Sequence, residues 1–141
     1  MLQESVPIKT NHLFPLLDEK LLQLLRSLSH DDWNRPTTAR LWTVKDIAAH
    51  LLDGNIRTLS MARDGYFSSL AGVMASHQNL LAYPNRLNAD WIAATKRMSS
   101  TVLINMLEIT GIQFCAYMAS LDPFAPAIFP VAWAGQAVSP N

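Results

Sequence analysis

The chain has 141 residues, half of them apolar, and its 11 basic and 11 acidic side chains cancel. That length suits one hydrophobic core, and the neutral total argues against the broad basic footprint that nucleic-acid binding needs. The charged fraction, 16%, lies below the roughly 25% of an ordinary domain, as expected of a surface that awaits a partner.

Residues 1–12 read as an extended lead-in containing Pro7. A first helix begins near Phe14, with Pro15 in the opening turn, where a missing N–H is not needed. Leu17, Leu21, Leu24, Leu25 and Leu28 give it an apolar stripe. Asp18 and Glu19 near its start and Arg26 near its end suit the macrodipole, and it should end around Ser29. Residues 30–42 form a loop holding Trp33 and Trp42, with Pro36 barring further helix.

Thr43 then caps a second helix, with Asp46 in the acid position of a capping box. This helix is expected from about Val44 to Phe67, with Val44, Ala48, Leu51, Leu52, Asn55, Leu59 and Ala62 as its inner stripe. Gly54 interrupts it at a cost of about 1 kcal/mol relative to Ala. Residues 68–87, with Gly72 and Pro84, mix a short helix with a loop.

A third helical region starts near Asn88 and contains Trp91, Ala94 and Met98, then a capping signal at Ser99-Ser100. Leu103, Met106, Leu107, Thr110, Phe114, Tyr117 and Leu121 continue the periodicity, with Gly111 as a mild breaker. One kinked helix or two in succession would satisfy this pattern. From Asp122 to Asn141, Pro123, Pro126, Pro130 and Pro140 exclude a long helix. Phe124, Phe129 and Trp133 favour an extended segment packed on the bundle.

The class is all-α, a helical bundle in a single domain over residues 1–141. Three long helices leave a gap, however. Val102, Ile109, Ile112 and Ala116 lie beside the main stripe of the third, and a helix apolar on most sides wants neighbours on most sides. The charges follow suit: residues 1–70 hold 16 of them and residues 71–141 only six, with none after Asp122.

Cys115 is the only cysteine, which excludes an intrachain disulfide and a multi-cysteine zinc site. In its apolar surroundings it reads as a small buried hydrophobe. The residues Met1-Leu2-Gln3-Glu4-Ser5 show no secretion signal, and no uninterrupted apolar stretch reaches the roughly 20 residues of a membrane span. A cytoplasmic protein without a membrane partner is the expectation.

His50 is the leading candidate for chemistry. It lies on the flank of the second helix's stripe, with Gly54 one turn on leaving space beside it and Asp46 one turn back able to orient the imidazole. A lone helical histidine is more often structural than a ligand or base. Arg57 lies near the His50 face and could offer an anion or cofactor a fixed charge; the alternative is a solvated helix face with local ion pairs. Glu108 points away from the Leu103 stripe and makes a poor second ligand. His12, His30 and His77 read as solvated or capping residues, and the four tryptophans as core and loop anchors. No His-x-x-x-His, Gly-x-x-x-x-Gly-Lys or Gly-x-Ser-x-Gly motif occurs.

Two stretches, Trp33-Asn34-Arg35-Pro36-Thr37 and Trp42-Thr43-Val44-Lys45-Asp46-Ile47-Ala48-Ala49-His50-Leu51-Leu52-Asp53, carry a family resemblance. They resemble the N-terminal signature of the DinB-like helical bundles, above all the metal-binding domain of mycothiol-dependent maleylpyruvate isomerases. Leu59-Ser60, Arg63-Asp64-Gly65 and the run from Phe129 to Gly135 match further pieces, so the likeness covers roughly residues 8–141. It implies an up-down-down-up four-helix bundle with a divalent metal, zinc or nickel, at one end, and a thiol cofactor whose sulfur the metal activates. His50 matches one metal ligand; the other two belong to a fourth helix that is expected to begin where this sequence ends. The resemblance therefore implies a bundle cut to about three long helices, inactive as an isolated chain. The alternative is a non-catalytic module that has lost the metal site and forms homo-oligomers through its uncovered face.

Overall fold

The computed structural model describes the backbone of residues 8–67 and 77–126, and their side chains except those of residues 77–84. Helix α1 spans Leu13–Ser27, α2 His30–Trp33, α3 Val44–Arg57, α4 His77–Thr95 and α5 Ser100–Ser120. A π-helical turn, Thr58–Arg63, continues α3. No strand occurs among the described residues, which bears out the all-α class.

Several elements differ from the sequence reading. The loop expected over residues 30–42 opens with the short α2, whose N-cap Ser29 accepts from Asp32 N while the Asp32 carboxylate accepts from Ser29 N. The second helix is α-helical only to Arg57; the π turn carries the chain on, and Gly65 closes it at φ +67°. The region from Asn88 to Leu121 resolves into two helices in succession. The first already begins at His77, and the break falls before Ser99, whose side chain caps α5 by accepting from Val102 N. Residues 1–7, Gly72, the His77 side chain and the run containing Phe129 and Trp133 lie outside the described residues.

Both α1 and α3 pack on α5, and α4 packs on the opposite flank of α3. The core joins Leu22 and Leu25 of α1, Trp33 of α2, Ala48, Ala49 and Leu52 of α3, Ile92 of α4, and Leu103 and Leu107 of α5. Leu52, Leu103 and Leu107 are the most deeply buried, each worth roughly 2 kcal/mol of apolar transfer. On α3 the buried surface is wider than the predicted stripe. It takes in Asp46, Ala49 and Asp53, because α4 leans there and Trp91 Nε1 donates to Ala49 O at 2.7 Å.

α5 is apolar around much of its circumference. By length and composition it could span a membrane, a test that the core helix of a soluble bundle also passes, although its apolar window is only 22% buried. Val102, Ile109 and Ile112 are exposed on its outer face, as the sequence pattern implied; Met106, expected in the inner stripe, is exposed there too. Gly111 does not break it; the helix runs straight through.

Asp46 ties the layers together. Its carboxylate accepts from Thr43 N and Thr43 Oγ1 at 3.0 Å each, completing the capping box that starts α3, and from Lys96 Nζ at 2.7 Å beyond the end of α4. Burial alone would raise this carboxyl, but the Lys96 and Thr43 hydrogen bonds outweigh it and hold the group below the usual carboxylate range. Asp46→Ala should destabilise the bundle by about 2 kcal/mol, roughly half from the cap and half from the charged hydrogen bonds. A carboxyl held below its unfolded value of about 3.9 stabilises above that pH, and the contribution fades as pH falls through the folded value. Urea unfolding at pH 7 and pH 3 should therefore show the gap between wild type and D46A narrowing in acid; an unchanged gap would mean that the ion pair contributes nothing.

Candidate functional site

His50 lies about two turns into α3, on the side that faces α1. There α1, α3 and α5 enclose a cleft of about 500 Å³ that is open on one side. Phe14, Leu17 and Leu21 form one wall, Leu51 and Gly54 the other, and Leu107, Phe114 and Cys115 line it from α5. Its polar side chains are Asp18, His50, Asn55 and Thr58. A Cβ at Gly54 would meet nothing within 4 Å, so the missing side chain does leave space beside His50.

The hairpin-like loop before α3 fixes the imidazole from behind. Thr37 N donates to Trp42 O at 3.1 Å, Trp42 N to Ala39 O at 2.7 Å and Val44 N to Arg35 O at 3.0 Å, around a single Pro36–Thr43 bridge. This turn sets the Trp42 ring against His50, with centroids 5.0 Å apart and planes tilted by 48°. Asp46 does not orient the ring, contrary to the sequence reading, because Thr43 and Lys96 occupy its carboxylate. His50 Nδ1 is buried with no hydrogen-bond partner. An orphan of that kind costs about 1–3 kcal/mol, and it leaves the ring positioned by packing, the tilted Trp42 contact included.

Arg57 lies outside the cleft lining. Its Nε is 2.9 Å from Asp53 Oδ2, one turn back on α3. That nitrogen is buried and finds no acceptor in hydrogen-bond geometry, so the contact is an ion pair with poor alignment. Glu108 pairs with Arg26 at 2.9 Å, on the side of α5 that meets α1. His12 and His30 are exposed at the ends of short turns, as expected. Cys115 is half-buried at the cleft wall, and burial, with the Asp18 charge beside it, pushes its thiol up and keeps it protonated.

Asp18 is the residue that helical periodicity missed. Its sequence position suits a solvated charge near the start of a helix, yet it turns inward to the cleft. Burial pushes its carboxyl above the usual carboxylate range, and the charge of Glu108 adds to the effect. It rests on Gly111: a Cβ there would come within 2.5 Å of Asp18 Oδ1. The signal available in the sequence was that glycine, placed mid-helix without a turn to make.

Comparison with known families is consistent with this geometry. The model of the mycothiol maleylpyruvate isomerase N-terminal domain matches residues 14–140. The chain belongs to this family. Comparisons with curated proteins and with solved structures find no match.

The family is one of metal-binding domains associated with mycothiol, so its metal can be tested against the side chains present. Among the described residues no group of three or more His, Cys, Asp or Glu is placed to hold a metal ion. His50 offers a buried, unpartnered Nδ1, and lacks the hydrogen-bonded partner that usually fixes a ligating imidazole. These residues do not by themselves make a metal centre.

The Asp18–Gly111 contact predicts a coupled pair. In wild type, Gly111→Ala should leave stability unchanged or lower it, since the new methyl must displace the carboxylate. In an Asp18→Ala background the same change should stabilise by up to about 1 kcal/mol, the helix preference for Ala over Gly. A denaturation cycle over the four proteins measures the coupling; strict additivity would mean that the two residues do not touch.

Proposed function

We propose that this chain is a divalent-metal-binding domain of the DinB-like kind, related to thiol-dependent isomerases and S-transferases, with His50 as one metal donor. The observation that carries the reading is His50 itself, at the wall of the cleft with Nδ1 unpartnered, within the Trp42–Asp53 segment of the family match. Zinc or nickel suits an imidazole donor. A single donor does not make a tight site, so in this reading the isolated chain is catalytically inactive and the remaining donors come from another stretch of polypeptide or a second chain. The thiol cofactor is inferred from the family alone; what this chain contributes is His50 and the cleft wall. Metal analysis after equilibration with zinc or nickel should find weak, sub-stoichiometric binding in wild type and none in His50→Ala. Equal, negligible metal in both proteins would remove the site.

A second reading rests on a different observation. Val102, Met106, Ile109 and Ile112 form an apolar face on α5 that is 47%, 38%, 58% and 66% exposed. Faces of this kind commonly mark protein–protein contacts, which favours a non-catalytic, self-associating module whose partner copy covers the open side of the bundle. Light scattering at high micromolar concentration should then show a dimer, and Ile109→Glu with Ile112→Glu should convert it to a monomer. A wild-type chain that stays monomeric under those conditions would sink this reading.

A further inference from the structure

The cleft has a chemistry of its own, separate from any metal. Among the described residues Asp18 is the one acidic or basic side chain in its lining besides the imidazole of His50, and no Lys or Arg lines it. Among the described residues Asp18 has neither a hydrogen-bond partner nor an ion pair. Arg26, about two turns further along α1, is engaged by Glu108. A carboxylate held against an apolar wall costs free energy until a cation or a donor meets it. Gly111 permits that approach, because a Cβ there would collide with the carboxylate. A second acceptor is available: Asn55 spends its Nδ2 on Thr110 Oγ1 at 3.1 Å, which leaves its carbonyl oxygen uncommitted.

The remaining lining is apolar. Leu17, Leu21, Leu51 and Leu107 supply aliphatic surface, and Phe14 and Phe114 meet edge-to-face with centroids 5.6 Å apart. At about 500 Å³ the space lies within the range of small-molecule sites and takes a single ring with a short substituent. Aromatic surface beside a carboxylate suits a cation that carries an apolar body.

We propose that this cleft binds a small organic cation, a primary ammonium on a compact apolar or aromatic body, with the ammonium held by Asp18 and the body by Leu17, Leu21, Leu51 and Phe114. An anion of the same shape meets the Asp18 charge with Glu108 behind it, and among the described residues it finds no Lys or Arg in the lining. A metal ion finds too few donors. The proposal does not depend on metal binding at His50, and it is tested with a chelator present.

The test titrates the 141-residue chain in EDTA with benzylammonium, benzyl alcohol and benzoate, read by calorimetry and by ligand-observed NMR. Benzylammonium should bind saturably and about tenfold more tightly than benzyl alcohol, the scale of one charge-assisted contact, with benzoate weakest. Asp18→Asn should bring benzylammonium down to the level of the alcohol while leaving the alcohol's own affinity unchanged, which shows the cleft intact. Three probes binding equally to wild type, no saturable binding of benzylammonium, or a D18N protein that binds it as wild type does would each overturn the proposal. The three-probe comparison on wild type stands even where D18N fails to fold.

Discussion

α1 and α3 both lean on α5 and barely touch each other, and from that shared support the rest of the site follows. Leu22 and Leu25 from one side and Ala48, Ala49 and Leu52 from the other meet the buried Leu103 and Leu107, so α5 acts as the spine of the layer. Two helices resting on a third leave a trough between them. That trough is the cleft, and each residue of interest in it lies on a flank of α1 or α3 rather than on the face that packs. α4 strengthens this arrangement from the far side: it occupies the Asp46–Ala49–Asp53 flank of α3, so His50 and Gly54 are left facing α1.

Much of this was legible from local pattern. The Leu repeat of α1, the Thr43 cap of α3, the His50 flank position and the broad apolarity of α5 each depend on residues a few positions apart, which periodicity and capping chemistry report directly. The choices that periodicity could not make were between partners distant in sequence. Asp46 was equally able to reach His50, one turn along, or Lys96 on another helix; the structure gives it to Lys96. Leu17 and Leu24 belong to the leucine repeat yet are 61% and 58% exposed, because α5 meets α1 along Leu21, Leu22, Leu25 and Leu28 instead. The short α2 was missed although its Ser29–Asp32 capping box was visible, because Asp is a weaker signal than Glu in that position and the helix is only one turn long.

The two glycines of the site show how differently the same residue can act. Gly54 borders empty space, so its absent side chain enlarges the cleft and costs helix stability for no packing return. Gly111 borders a carboxylate, so its absent side chain permits a close approach between α1 and α5. Both read alike in sequence, as weak points in a helix. Only the neighbouring helix distinguishes a space-maker from a seat.

The uneven charge distribution takes on a clearer meaning beside these contacts. Of the six charged residues after position 70, Lys96 and Glu108 are drawn into ion pairs with the N-terminal half, to Asp46 and Arg26. The sparse charge of α5 thus goes to its attachment to α1 and leaves its outer face bare. Asp18 is the counterpart on the other side of the same interface: a charge from the rich half turned inward, with no described residue of the poor half paired to it. The imbalance between the halves is therefore resolved at two sites and left open at a third, and the open one lies in the cleft.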